Sequence, residues 1–361
     1  MKPFTLPSDI NEIVNSTFEN LEKFFEVFGG KRILITGACG FLGRYFVETF
    51  LRANQICREK GTPPCEIIAI DNLVGWTNTE SSSPCWPNDP SLAFVNHDIT
   101  KDFIPERPVD YVLYAAGIAS PHHYRRLPIL TLEVATKGFQ NILAATGKNT
   151  RILYFSSSEI YGDPDPKNVP TTESYRGYVN SMGPRSCYDE SKRLGETLAY
   201  IHHEKFNRPI MVVRPFNVYG PGMQKRDYRV LPNFAQKILE GKAVTVYGNG
   251  LQTRTFCYAT DAIRGFLSIL ANGKPGEAYN IGTAGPEVSM IGLVEVIQKI
   301  LKPELEVKYE ITPHPESYPP DEPQRRCPSL LKATIELGYN PKVELEEGLR
   351  RFFEWAKEAY S

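Results

Sequence analysis

The stretch that decides the fold is KRILITGACGFLG, Lys31 to Gly43. Lys31 to Thr36 is a short apolar run of strand length, and the glycines after it, Gly37, Gly40 and Gly43, are spaced GxxGxxG. Glycine at these places lets the chain turn tightly, lets the backbone approach a pyrophosphate, and aims the N–H groups of the next helix at it. Phe41 and Leu42 open that helix, which is expected to run through Leu51. A glycine triplet alone is often an ordinary strand-to-helix turn. Its weight comes from its surroundings.

Glu66 to Ile70 reads as a second apolar strand that ends in Asp71 and Asn72. A carboxylate there accepts hydrogen bonds from adenosine ribose hydroxyls and repels a 2′-phosphate, which predicts NAD rather than NADP. Phe94 to Val95 reads as a third strand, with Asp98 and Ile99 expected to border the adenine, although an Asp in that position also serves as a loop cap. Val109 to Tyr114 is a fourth, and Ala115, Ala116 and Gly117 after it leave room for a cofactor against bare backbone. Arg151 to Phe155 is a fifth. Strands alternating with helices predict an α/β protein, a Rossmann-type doubly wound parallel sheet.

In such a sheet the C-terminal strand ends face the ligand crevice. Ser157, Ser158 and Glu159 follow the fifth strand directly and therefore point toward a substrate. Tyr188 and Lys192 stand four apart, on one face of a helix. The ammonium is expected to draw the phenol below its ordinary value of about 10, so that Tyr188 takes a proton from a substrate hydroxyl.

The segments SSSEIYGDP at 156–164, NSMGPRSCYDESKR at 180–193, RPFNVYGPGM at 214–223, DYRVLPNF at 227–234 and VTVYGNGLQTRTFCYATD at 244–261 carry a resemblance. They resemble the extended short-chain dehydrogenase/reductases that act on nucleotide sugars, and among these the UDP-glucuronate decarboxylases most. The resemblance implies that Tyr188 is the base for the sugar 4-hydroxyl, that Lys192 lowers its pKa and holds the nicotinamide ribose, and that Ser157 bonds the same hydroxyl. Ser158 stands where 4,6-dehydratases usually carry Asp, which argues against dehydration, because that reaction needs an acid to protonate the leaving hydroxyl. Glu159 and Arg254 are the candidates for sugar orientation and proton management. Asn217, Arg229, Tyr247, Gln252, Arg254 and Arg326 match the positions that bind the nucleotide diphosphate. A 4-epimerase is the nearest alternative within the family, and a non-catalytic nucleotide-binding scaffold is the alternative outside it. Cys187, beside the proposed base, is read as structural, and a homodimer paired through the Tyr/Lys helix is expected.

Composition bounds the rest. With 361 residues, 41% of them hydrophobic, and a formal net charge of -1 mixed in sign along the chain, a full core is expected and a nucleic-acid partner is not. Seven cysteines without a CxxC pair predict neither a metal site nor a disulfide framework, and a cytoplasmic setting. No apolar run has the length of a membrane span, and Asp9, Glu12, Glu19 and Glu22 near the start do not fit a signal peptide. Ile10, Ile13, Val14, Phe18, Leu21, Phe24 and Phe25 recur at steps of three and four, predicting an amphipathic helix packed on the domain. The expected organisation is a helical extension over residues 1–30, a nucleotide-binding domain over 31–214, and a smaller substrate-binding region over 215–361, with some later elements returning to the sheet. The Pro-, Ser- and Asn-rich stretch from Trp76 to Pro90 is expected to be a surface excursion.

Overall fold

The apolar runs around the glycine loop become β1 (Arg32–Thr36), β2 (Glu66–Asp71), β3 (Leu92–Asn96), β4 (Tyr111–Tyr114), β5 (Arg151–Phe155) and β6 (Ile210–Pro215). In the computed structural model, which describes residues 4–17, 21–74, 86–301, 307–313 and 323–361, a seventh strand, Ala278–Ile281, joins them. The order is Ala278–Ile281, β6, β5, β4, β1, β2, β3, all parallel. β1, β2, β4 and β5 are buried along nearly their whole length, which explains why they read as continuous apolar runs rather than alternating ones. Thr36 pairs with Ile70 on one side and Tyr114 on the other, so the strands end level with one another. Strand order reverses between β1 and β4, which places a crevice at that edge.

The helices α1 (Pro7–Ser16), α2 (Leu21–Phe28) and α3 (Phe41–Lys60) lie in sequence before β2. The helix expected to end at Leu51 continues to Lys60, because Ala53, Asn54 and Cys57 keep its inner face buried, and it stops at Gly61 in the left-handed conformation. The expected N-terminal helix is described as α1 and α2 on either side of residues 18–20, which lie outside the described residues. Ser16 Oγ and Thr17 Oγ1 each bond the carbonyl four residues back, drawing the end of α1 into its own side chains. Phe18 and the stretch 75–85, most of the expected surface excursion, lie outside the described residues.

After β4 come α4 (Pro121–Arg126), α5 (Pro128–Glu133) and α6 (Phe139–Ala145), and after β5 the long α7 (Ser186–Phe206). Gly195 is what lets α7 lie close on the sheet, since a Cβ there would strike the phenol of Tyr154 on β5. Beyond residue 214, α8 (Val230–Leu239) and the helices Met290–Leu301 and Leu345–Ala359 enclose a second core that includes Phe234, Leu293 and Phe352. α9 (Ala259–Asn272) and the strand Ala278–Ile281 instead pack into the first core. The chain therefore passes back and forth between the two cores, and the crevice lies between them.

The N-terminal segment ties these parts together. Asp9 is fully buried and accepts from Tyr258 Oη at 2.7 Å, with Arg351 Nη1 at 3.4 Å, while Glu12 accepts from Thr260 and Arg351, both at 2.8 Å. Burial pushes the Asp9 carboxyl up to about 6, against the bonds from Tyr258 and Arg351. A carboxyl raised in the folded state stabilises the fold below its unfolded value of 3.8, and that contribution is lost as pH rises through about 6. At 1.36 kcal/mol per unit, ionising Asp9 costs up to about 3 kcal/mol. Urea denaturation of wild type and Asp9→Asn at pH 4 and pH 7 should show the wild type losing ground to the variant at the higher pH; parallel behaviour would refute the account.

Candidate active site

The glycine loop and the bare strand ends enclose a cavity of about 380 Å³ at the β1/β4 crevice. A Cβ on Gly37 would lie 2.8 Å from Cα of Ala116, and one on Gly43 would run into the carbonyl oxygen of Gly37. The wall is thus made of backbone, and α3 begins at it with no acidic side chain in its first turn. Asp71 closes the far side: its carboxylate accepts from Cys39 N at 2.9 Å and Leu73 N at 2.7 Å, joining the end of β2 to the glycine loop. Backbone donors at a helix start, a close glycine wall and a carboxylate at the second strand end fit a dinucleotide.

Every residue expected at the cofactor lines this cavity except Asp98. The Asp98 carboxylate accepts from Thr100 N at 3.0 Å and Thr100 Oγ1 at 2.8 Å, so it caps its own loop, and its neighbours His97 and Ile99 face the cleft instead.

The groups expected to do chemistry converge where β5 ends. Ser157 caps the turn Ser158–Tyr161, accepting from Glu159 N at 3.2 Å. Tyr161 pins the other end of that turn, its hydroxyl donating to Asn280 Oδ1 and accepting from Arg214. Tyr188 and Lys192 are both buried on α7, with Lys192 Nζ donating to Phe155 O at 2.8 Å and lying 5.7 Å from the Tyr188 ring centre. Tyr124 of α4 stacks on the ring of Tyr188, with the centres 5.3 Å apart.

Lys192 was expected to pull the phenol down, and the protein's own charges do not achieve this. Burial pushes Tyr188 up to about 12 against a hydrogen bond with Ser157, and the nearby carboxylates of Glu159 and Asp189 add to the rise. The same burial pulls Lys192 down to about 8. Both groups favour their neutral forms for one reason, the cost of charge in a dry cleft. Glu159 behaves oppositely. Burial alone would push its carboxyl up, but Arg185, then Arg326 and Arg254, hold it down to about 2.

A second cavity, of about 660 Å³, opens beyond this point and is lined by all six residues expected to bind the nucleotide diphosphate: Asn217, Arg229, Tyr247, Gln252, Arg254 and Arg326. Several are already engaged. Arg229 makes a two-pronged pair with Asp227 at 2.5 and 2.6 Å, Arg254 donates to Thr253 O and Pro323 O, and Asn217 donates to Thr255 O. Arg326 is 7% exposed, and its Nε has no hydrogen-bond partner among the described residues, the kind of buried donor that an anionic ligand would complete. Tyr188, Glu159, Asn217, Arg229 and Arg326 line both cavities, so the phenol stands at their junction. Arg185 and Tyr124 were not singled out from the sequence. Arg185 had a signal, standing three residues before Tyr188 and seven before Lys192 on one helix face; Tyr124, distant in sequence, had none.

The sequence and fold have relatives. The NAD dependent epimerase/dehydratase family matches residues 33–282. UDP-glucuronic acid decarboxylase 6 of Arabidopsis thaliana is 37% identical over 350 residues, covering 96% of this chain and 92% of that one. UDP-glucuronic acid decarboxylase 1 of Xenopus tropicalis is 34% identical over 330 residues, 91% of this chain and 73% of that one. Among solved structures, an epimerase from Methanothermobacter thermautotrophicus superposes with a TM-score of 0.77 at 25% identity, covering 98% of this chain and 96% of that one. UDP-glucuronic acid 4-epimerase from Bacillus cereus in complex with NAD does so with a TM-score of 0.73, covering 91% and 100%; at 24% identity that likeness concerns the fold. Replacing Gly43 by Ala should force α3 away from β1, lowering stability by about 1–3 kcal/mol and depleting NAD from the purified protein. Thermal melting and chromatography of the nucleotide released on denaturation would check this, and a variant that retained NAD fully would contradict the backbone wall.

Proposed function

The chain belongs to the NAD dependent epimerase/dehydratase family, and from that premise we propose that it converts UDP-glucuronate to UDP-xylose through a 4-keto intermediate. The observation that carries this reading is the position of Tyr188 at the junction of a dinucleotide-shaped cleft and an arginine-lined cavity, with Ser157 lining the same cleft. Relatives matched along nearly the whole chain bear the decarboxylase name, which favours this member of the reaction class.

Tyr188 takes the proton of the sugar 4-hydroxyl, with Ser157 fixing that hydroxyl in place. Lys192, anchored on Phe155 O, holds the nicotinamide ribose and supplies positive charge below the phenol. The glycine loop, Asp71 and Lys192 would hold NAD, which when bound would supply the hydride acceptor for oxidation at C4 and the hydride donor for the closing reduction. Oxidation at C4 makes the C5 carboxylate part of a β-keto acid. The C5–carboxylate bond then breaks with its electron pair passing into the ketone as an enolate, carbon dioxide leaves, and C5 is reprotonated. Glu159, held ionised by its arginines, accepts hydrogen bonds from the sugar and offers no proton to a leaving 6-hydroxyl. Ser158, buried beside it, offers no carboxylic acid either. This supports decarboxylation over dehydration.

Purified protein incubated with UDP-glucuronate and NAD should release carbon dioxide and give UDP-xylose by proton NMR. UDP-galacturonate without gas would make it a 4-epimerase. Tyr188→Phe should lower kcat by about 10²–10⁴ while keeping the melting temperature; unchanged turnover would remove the phenol from the chemistry.

We also read the outer face of α7 as the homodimer surface. Leu194, Ile201 and Phe206 are exposed there, with Leu127 and Ile129 exposed at α5 beside them. Ile201→Glu should shift the sedimentation coefficient from dimer to monomer, and a wild-type monomer would discard this surface.

A further inference from the structure

Glu159 is gripped from two elements at a single oxygen. Arg326, in the short strand Arg325–Arg326, donates to its Oε2 at 2.7 Å, and Arg185, at the start of α7, bonds the same atom. Neither guanidinium bond falls on Oε1. Arg185 is itself buried, and its backbone carbonyl accepts from Tyr188 N at 2.9 Å and Asp189 N at 3.1 Å. One residue thus holds the first turn of the helix that carries Tyr188 and, through its side chain, the carboxylate of Glu159.

The charges around Glu159 come from each element packed against it. α7 contributes Arg185, Tyr188 and Asp189, the last with Oδ2 3.8 Å from Arg185 Nε; the strand Thr253–Arg254 contributes Arg254; the strand Arg325–Arg326 contributes Arg326. Among the described residues, three guanidinium groups and two carboxylates meet here. A buried carboxylate stripped of one of two guanidinium partners keeps its desolvation cost and loses part of the offset.

We propose that Arg185 is a positioning residue that acts through Glu159, holding Oε2 so that Oε1 is the oxygen offered to the sugar. The assignment rests on reading the cavity as the sugar site. It gives Arg185 a role distinct from that of Arg326, which lines both cavities, whereas Arg185 lines only the second.

The test combines kinetics with titration. In Arg185→Gln the acid limb of kcat/KM against pH should move upward by about 1–3 units, with activity recovering toward wild type as pH rises; Arg185→Lys, which restores the charge without the fork, should move the limb back. Adding Arg185→Gln to Glu159→Gln should cost little beyond Glu159→Gln alone, because the two act as one unit. This double variant also removes both buried charges, so it remains informative where Arg185→Gln folds poorly. An unmoved limb, or additive losses in the double variant, would make Arg185 merely structural. Infrared titration of the carboxyl C=O band, with Glu159→Gln as the blank, reads the same shift without any substrate. A wild type that releases no carbon dioxide from UDP-glucuronate would sink the functional reading while leaving this titration to judge the clamp.

Discussion

A buried ammonium governs much of this structure. Lys192 is buried against the C-terminal end of β5, where an unpaired charge is costly. The carbonyl of Phe155, at the end of β5, receives it at 2.8 Å. That bond fixes how α7 is rotated against the sheet, and Gly195 permits the close approach it requires. Tyr188, one turn earlier, is consequently delivered beside Ser157, which follows the same strand. The geometry of the site follows from satisfying one charge.

The cleft manages its acids in opposite ways. Tyr188 and Lys192 are left with little protein charge to stabilise their ionised forms, so each is pushed toward neutrality. Glu159, in the turn that follows β5, is surrounded by arginines and stays ionised. A neutral phenol beside a cation site can be switched by the charge of an incoming ring. A fixed carboxylate can orient a polyhydroxylated ligand without becoming an acid. Environment, more than residue type, sets these roles.

The N-terminal segment gives the fold a further constraint. Asp9 and Glu12 on α1 meet Tyr258, Thr260 and Arg351, so the first described helix is bonded to α9, to the residue that precedes it, and to the helix Leu345–Ala359. Phe4 lies against Gly222, a residue that also lines the cofactor cleft, and beneath the guanidinium of Arg44 on α3. The N-terminal helix, itself part of the first core through Ile10, Ile13 and Val14, is thus bonded to elements of both cores.

Much of this was legible in the residues because it is local. The strand before Gly37, the glycine spacing, the carboxylate at Asp71 and the four-residue step from Tyr188 to Lys192 are written in short periods, and backbone sterics and hydrogen bonding leave each segment few alternatives. Asp98 shows the limit of that logic: the same residue suits a cofactor or a loop cap, and the fold shows its carboxylate bonded to Thr100. The sequence by itself determined the parallel α/β sheet and the dinucleotide cleft, and it set Tyr188 and Lys192 on one face of a helix. Tertiary structure alone decided that the phenol is raised rather than lowered, that Arg229 and Arg254 are already engaged, and that Arg185 shares Glu159 with Arg326. The physical reason is that burial and charge pairing depend on groups brought together from across the chain, and their free energies belong to the assembled site rather than to any segment of it.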